Sequence, residues 1–251
     1  MGQQPGTEGE GLVHKTSPLT VLSRVYSRAT KILFKQPPDG KQDFNVMFDG
    51  LLWDSIWCFE DQTGGLLNAS QMSLVTGLLN RVEQRDPDLA MHSHRVTGLS
   101  MRLARYMGLS HEEVQIIRWA GLMHDVGKLQ IPDAILNKQA PLSADEWTIV
   151  HRHPAEGAEM VRELIGITDV AGLIMTHHER YDGHGYPCRL SGEKIPLGSR
   201  ILALADSYCA MTDERVYKRS LSPQAAYTEV LRCISTDFDP LVVQAFTRLA
   251  E

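Results

Sequence analysis

The string IIRWAGLMHDVGK, residues 116–128, is the most informative stretch of the chain, because an apolar helical run passes directly into His124 and Asp125. Its apolar side chains recur at the spacing of one helix face, so the two polar residues fall where that helix ends. A second apolar run leads in the same way to His177 and His178. Polar side chains paired at helix ends in this manner can reach one divalent metal ion or bridge two.

The distribution of histidines supports a metal site. Nine of the ten histidines fall between His92 and His184, and His92, His153 and Asp206 each lie on or beside a predicted helix. Neutral imidazoles and carboxylates bind first-row divalent metals without a thiolate. Burying so many polar groups beside apolar helix faces without a metal would be costly. Four histidines of this region are instead predicted to be surface groups: His94, His111, His151 and His184.

Helix-start signals recur from residue 86 onward and predict an all-α fold. Ser110 with Glu113 and Ser143 with Glu146 have the spacing of capping boxes. Ser222 precedes Pro223 and Asp239 precedes Pro240, which is the order of an N-cap followed by a proline at the first helical position. No stretch alternates with period two for long enough to predict a sheet.

Three regions are predicted along the chain. Residues 1–17 are rich in Gly, Gln and Pro and are expected to form a disordered leader. Residues 18–85 carry helical patterns, the last from residue 70 to about residue 83, and are expected to form a small helical subdomain with a sensory or dimerisation role. Residues 86–251 contain the histidines and aspartates described above and are predicted to be the catalytic domain.

Composition and charge exclude several classes of protein. The formal net charge of −6 argues against a nucleic-acid polymer as the partner. No apolar run approaches the roughly 20 residues of a membrane-spanning helix, and the N-terminus lacks the order of a signal peptide. The four cysteines are scattered without a CxxC pair, which favours a reducing, cytoplasmic location.

Two signature strings carry a family resemblance. HDVGK (residues 124–128) and HHERYDGHGYP (residues 177–187) resemble the HD and HHExxDGxGYP signatures of the bacterial HD-GYP family. This resemblance implies an HD-type helical bundle that hydrolyses cyclic di-GMP to linear pGpG, to GMP or to both, through a metal-bridging hydroxide. It covers about residues 86–246 and continues through IPDAILNK (131–138), HPAEG (153–157), KIPLGSRILALAD (194–206) and DERVYK (213–218).

The resemblance also assigns residues to roles. It implies two or three divalent ions, with Fe or Mn as the first expectation and Ni or Zn as alternatives. Lys128 would hold a phosphate oxygen, and Asp125 would bridge two ions. Arg215 and Lys218 resemble the family's second phosphate-binding pair, with a solvated basic patch as the alternative, and Tyr186 of the signature loop is counted with the substrate-binding residues. The implied metal ligands are His92, His124, Asp125, His153, His177, His178 and Asp206.

Three positions modify this assignment. Asp88 lies four residues before His92 and is either a ligand of a third metal ion or the cap of the helix that carries His92. Cys209 stands at the second aspartate of the family's DxxDA string, and its loss puts turnover or base preference in doubt. Arg189 stands where the family has glycine, so the exit of the signature loop is expected to differ. Gly183 and Gly185 of this loop are expected to permit positive φ.

Other functions stay open at this point. One is an HD nucleotidase acting on mononucleotides or on other cyclic dinucleotides, and the GYP signature argues against the mononucleotide version. Another is a catalytically weak or inactive module that binds a cyclic dinucleotide or a partner protein in signalling. A homodimer through the N-terminal helices and signalling-protein partners are further expectations.

Overall fold

A computed structural model describes residues 66–213 and 220–250, and every regular element in these ranges is a helix. The all-α prediction is confirmed. Two short 3-10 turns, Val126–Gln130 and Gly192–Lys194, interrupt the connections between helices. The helices are α1 (Ala69–Arg85), α2 (Pro87–Tyr106), α3 (His111–Met123), α4 (Asp133–Leu136), α5 (Ala144–Val150), α6 (His153–Ile165), α7 (Thr168–Thr176), α8 (Leu197–Thr212), α9 (Pro223–Arg232) and α10 (Pro240–Leu249).

The predicted helix starts are observed. The side chains of Ser110 and Ser143 each accept from the backbone N–H three residues on. The glutamate at that position accepts in turn from the backbone N–H of the serine. Ser222 and Asp239 cap α9 and α10, each with a proline at the first helical position. A further capping box at Asn68, which the sequence reading did not pick out, opens α1.

Helix α2 forms the centre of the described bundle. It packs against α1, α3, α8 and α10, while α6 and α7 pair with each other and α7 also packs on α3. Val96, Leu99 and Leu103 of α2 are almost fully buried, and each such side chain contributes about 1.5–3 kcal/mol when it leaves water. The polar residues carried by α2, α3 and α8 are therefore held on closely packed helices.

The structure describes only part of the N-terminal region for which the sequence makes predictions. Helix α1 occupies the position predicted for residues 70–83 and buries Val75, Leu78 and Val82 in the common core. The leader, the earlier helices and the proposed dimerisation surface lie outside the described residues and stay predictions. Among the described helices, none is both long and apolar enough to cross a membrane.

Candidate metal centre

His124 and Asp125 lie where the end of α3 approaches the start of α6, and Gly127 makes this close approach possible. Helix α3 ends at Met123, His124 forms its C-cap, and Asp125 begins the 3-10 turn Val126–Gln130. A Cβ on Gly127 would lie 2.0 Å from the carbonyl oxygen of His153, so only glycine lets this turn approach the start of α6 so closely. As a result, His153 Nε2 lies 3.3 Å from Asp125 Oδ1.

Three histidines are oriented in the same way. The Nδ1 atoms of His124, His153 and His177 lie 2.7–2.8 Å from the backbone carbonyl three residues earlier. A carbonyl oxygen only accepts, so Nδ1 carries the proton and Nε2 is left with a lone pair. These three Nε2 atoms and Asp125 Oδ1 are buried without a hydrogen-bond partner. Buried acceptors without donors fit a bound cation, which would satisfy them.

The ligand atoms form two groups that share one carboxylate. Asp125, His153, His177 and His178 make one group, while His92, His124 and Asp125 make the other, and within each group the ligand atoms lie within 4.8 Å of one another. This donor set suits divalent first-row metals. Because Asp125 belongs to both groups, it stands where a carboxylate bridging two ions would stand.

Asp206 of α8 completes the cluster. Its Oδ1 lies 2.8 Å from His92 Nε2 and 3.9 Å from His124 Nε2, and its Oδ2 lies 3.9 Å from His178 Nδ1. The structure therefore brings together all seven side chains that the sequence assigned as metal ligands, although they come from five different helices or helix ends.

The protonation states suit metal binding. Burial lowers the pKa of His177 well below its usual value and lowers that of His178 to about 4. Burial alone would raise the pKa of Asp125, but Lys128 and His124 beside it hold that pKa well below the usual range. Neutral imidazoles around an ionised carboxylate are the forms that bind a metal ion.

Lys128 and Tyr186 lie at the edge of the cluster. The ammonium of Lys128 donates to Asp125 Oδ2 at 2.7 Å, and its side chain is about a quarter exposed (23%). The ring of Tyr186 lies 5.0 Å from that of His178 and stacks at 4.1 Å on that of His151. A cation with further donors and an aromatic ring thus border the proposed ligands.

The predictions for the four remaining histidines have mixed outcomes. His111, His151 and His184 are exposed, as predicted. The prediction for His94 is wrong: its side chain is half-buried, and burial together with the nearby Arg118 lowers its pKa to about 4. Arg118 belongs to α3, 24 residues further along the chain, so the spacing along α2 alone could not predict this neighbour.

Glu179 supports the signature loop, a role that its place in the HHERYDGHGYP string does not by itself predict. Its buried carboxylate accepts from the backbone N–H groups of Cys188, Arg189 and Leu190 at 2.6–3.1 Å, and so ties down the exit of the signature loop. Arg189 adopts a φ of +53°, the left-handed conformation that glycine takes most readily. The loop therefore keeps a glycine-like turn at this departure from the family pattern.

The two signature glycines serve different purposes. Gly183 has a φ of +83°, as predicted. The expectation of positive φ is wrong for Gly185, which is needed for space instead. A Cβ on Gly185 would lie 2.3 Å from the backbone nitrogen of Arg180.

Several assigned residues lie apart from the cluster. Asp88 is exposed in the first turn of α2, outside both ligand groups, and the helix cap is Asp86, which accepts from Leu89 N–H. The capping alternative for Asp88 is therefore wrong. Arg215 and Lys218 lie outside the described residues. Cys209 is buried and Cys188 exposed, and both are free thiols.

Comparison with known proteins gives the chain its family. The model of the HD domain family matches residues 78–242. The chain is 39% identical over 173 residues to the cyclic di-GMP phosphodiesterase response regulator RpfG of Xanthomonas campestris, covering 68% of this chain and 46% of that protein. It is 38% identical over 180 residues to the 3'3'-cGAMP-specific phosphodiesterase 2 of Vibrio cholerae, covering 71% of this chain and 34% of that protein. The chain thus spans less than half the length of these two relatives.

Solved structures agree on the fold. An HDG"Y"P protein from Bdellovibrio bacteriovorus superposes with a TM-score of 0.56 at 16% identity, covering 92% of this chain and 78% of that one. The HD domain of the Listeria monocytogenes phosphodiesterase PgpH, in complex with cyclic-di-AMP, gives a TM-score of 0.52 at 18% identity, covering 69% and 93%. At these identities the likeness speaks for the fold alone, and it confirms the predicted HD-type bundle. The chain belongs to the HD domain family.

Proposed function

We propose that this protein is a metal-dependent phosphodiesterase that hydrolyses cyclic di-GMP to linear pGpG, to GMP or to both. The observation that carries the proposal is the cluster of ligand atoms in two groups that share Asp125. In this cluster Nε2 of His124, His153 and His177 and Oδ1 of Asp125 are buried without a hydrogen-bond partner. Relatives at 33–39% identity that are named cyclic di-GMP phosphodiesterases support the substrate class.

The proposed cofactor is a pair of divalent ions, Fe or Mn before Ni or Zn. His153, His177 and His178 would hold one ion, His92 and His124 the other, and Asp125 would join them, with Asp206 beside the second group. Ions bound there supply Lewis-acid chemistry, lowering the pKa of water and polarising phosphoryl oxygens. The reducing compartment that the free thiols favour would keep Fe in its divalent form.

The chain's own residues have three further roles in this proposal. Lys128 keeps Asp125 ionised and has donors left for a phosphate oxygen, where it stabilises developing negative charge. The ring of Tyr186 stacks on that of His151 at 4.1 Å and lies 5.0 Å from that of His178, so Tyr186 is proposed to border the substrate at the edge of the cluster. Arg215 and Lys218 are proposed as the second phosphate-binding pair.

The proposal is tested with the purified full chain under anaerobic conditions, with Fe(II) or Mn(II) and with cyclic di-GMP or 3'3'-cGAMP as substrate. Products are resolved by ion-exchange chromatography, and metal content is measured on the same samples. We expect turnover of cyclic di-GMP by the wild type, and loss of both turnover and metal in His124→Ala and Asp125→Ala.

His111→Ala is the matched control, because it removes an exposed imidazole from the start of the same helix α3. It should keep wild-type metal content and turnover. A metal-loaded wild type that cleaves neither substrate would refute the enzymatic proposal, and turnover of 3'3'-cGAMP alone would correct the substrate. Full activity and full metal content in Asp125→Ala would refute the proposed centre.

A further inference from the structure

His92 is oriented differently from the other histidines of the cluster. His124, His153 and His177 stand at helix ends, where the carbonyl three residues earlier is free to accept from Nδ1. His92 lies inside α2, where carbonyls are engaged by the helix itself, and the carbonyl of Leu89 also accepts from Ser93 Oγ at 3.0 Å. Its Nδ1 therefore needs an acceptor from another element.

Asp213, at the C-terminal end of α8, supplies that acceptor. Its Oδ2 lies 2.6 Å from His92 Nδ1. Its Oδ1 forms an ion pair with Arg95 of α2, and Arg95 also donates to Thr212 Oγ1 at 3.0 Å. Asp213 is thus held between two side chains of α2, three residues apart and on the same helix face.

The α8 residue one helical turn before Asp213 does not offer His92 a carboxylate. Cys209 lies one turn before Asp213, fully buried, and a thiol is only a weak acceptor. Within residues 66–213 and 220–250, Asp213 is the carboxylate that the structure puts at Nδ1 of His92, while Asp206 lies at Nε2 on the side of the cluster.

We propose that Asp213 is a positioning residue for the metal centre, fixing the ring of His92 with Nε2 toward Asp125 and His124, and that Arg95 holds Asp213 in place. The inference rests on the proposed metal centre, and it adds a residue that is not among the implied ligands. Carboxylates that accept from the second nitrogen of a ligating histidine are typically worth about 10- to 100-fold in metal affinity.

The test measures Mn(II) binding by the full chain in wild type, Asp213→Asn and Asp213→Ala, together with thermal unfolding with and without Mn(II). We expect the ion of the His92 group to bind about 10- to 100-fold more weakly in Asp213→Ala. Asp213→Asn, which keeps an oxygen acceptor but not the charge, should fall between. The ion held by His153, His177 and His178 should bind as in wild type.

Asp237→Asn is the matched control, because it removes the carboxylate of another partly buried Asp–Arg pair, with Arg180, that touches no histidine of the cluster. It should leave both ions bound. Wild-type Mn(II) affinity in both Asp213 variants would overturn the inference, as would an equal loss of thermal stability with and without Mn(II) at unchanged affinity. If Asp213→Ala does not fold, Asp213→Asn decides alone. A wild type that binds no Mn(II) would instead refute the metal centre itself.

Discussion

Gly127 offers the sharpest test of how the metal centre is assembled. In Gly127→Ala the new methyl group would lie 2.0 Å from the carbonyl oxygen of His153 and 2.6 Å from the backbone nitrogen of Gly157. Both are backbone atoms, so no side chain can rotate away. Unstrained contact needs about 3.5 Å, so the 3-10 turn and the start of α6 must separate by about 1.5 Å.

The consequence for the site follows from that separation. His153 Nε2 and Asp125 Oδ1, now 3.3 Å apart, stand on opposite sides of the contact and would be moved apart. Overpacking of this kind costs about 1–3 kcal/mol of stability, and a displacement of about 1 Å near the chemistry can cost roughly 10²-fold in rate. We therefore expect both losses together with weaker metal binding.

The assay combines urea unfolding, Mn(II) binding and cyclic di-GMP turnover on a graded series of glycine variants. Gly157→Ala should be intermediate, because its nearest contact is 3.0 Å, to the nitrogen of Gly127. Gly77→Ala in α1 has nothing within 4 Å and should be neutral or stabilising by up to about 1 kcal/mol, since alanine favours helix. Wild-type stability and Mn(II) affinity in Gly127→Ala would refute the close-approach argument.

Three further outcomes are expected. Because burial lowers the pKa of His178 from 6.5 to about 4, the unfolded chain takes up a proton on this histidine before the folded protein does as the pH falls. The metal-free protein should therefore lose stability between about pH 6.5 and pH 4, and the loss should be shallower in His178→Gln. Urea titrations that give the same dependence of stability on pH for both proteins would contradict this. Arg85 donates to the backbone carbonyls of Lys128 and Ile131, at the end of the 3-10 turn Val126–Gln130. Arg85→Gln should therefore cost about 1–3 kcal/mol of unfolding free energy, while Arg81→Gln, an exposed control one turn earlier, should cost almost nothing. Asp88→Asn should leave metal per chain unchanged, because Asp88 is exposed and outside both ligand groups; loss of one ion per chain would restore the third-metal hypothesis.

Local chemistry was sufficient to predict several features from the chain alone. A capping box such as Ser110 with Glu113 is complete within four residues, so its prediction needed no knowledge of the fold. His124 and Asp125 can be recognised in the same way, because an apolar helix that ends in two adjacent ligands is a local pattern. Local signals therefore predicted the helical class, while the resemblance of the signature strings to the HD-GYP family implied the set of ligands.

What the sequence could not decide was how remote segments meet. His92 and Asp213 are 121 residues apart, and nothing around either residue predicts their 2.6 Å contact. His94 was predicted to be a surface group, since a histidine outside the ligand motifs is more often exposed, yet it is half-buried near Arg118 of another helix. Gly185 was expected to provide positive φ, but the packed loop requires it for space.

The division has a physical origin. Helix signals and ligand chemistry are properties of short segments, so they could be recognised, together with the family's signature strings, along the chain alone. The ring nitrogen that each histidine turns to the cluster, and the polar groups that support the ligands, follow from the folded structure. Those properties depend on packing between α2, α3, α6, α7 and α8, and close packing fixes distances to fractions of an ångström that no local pattern encodes.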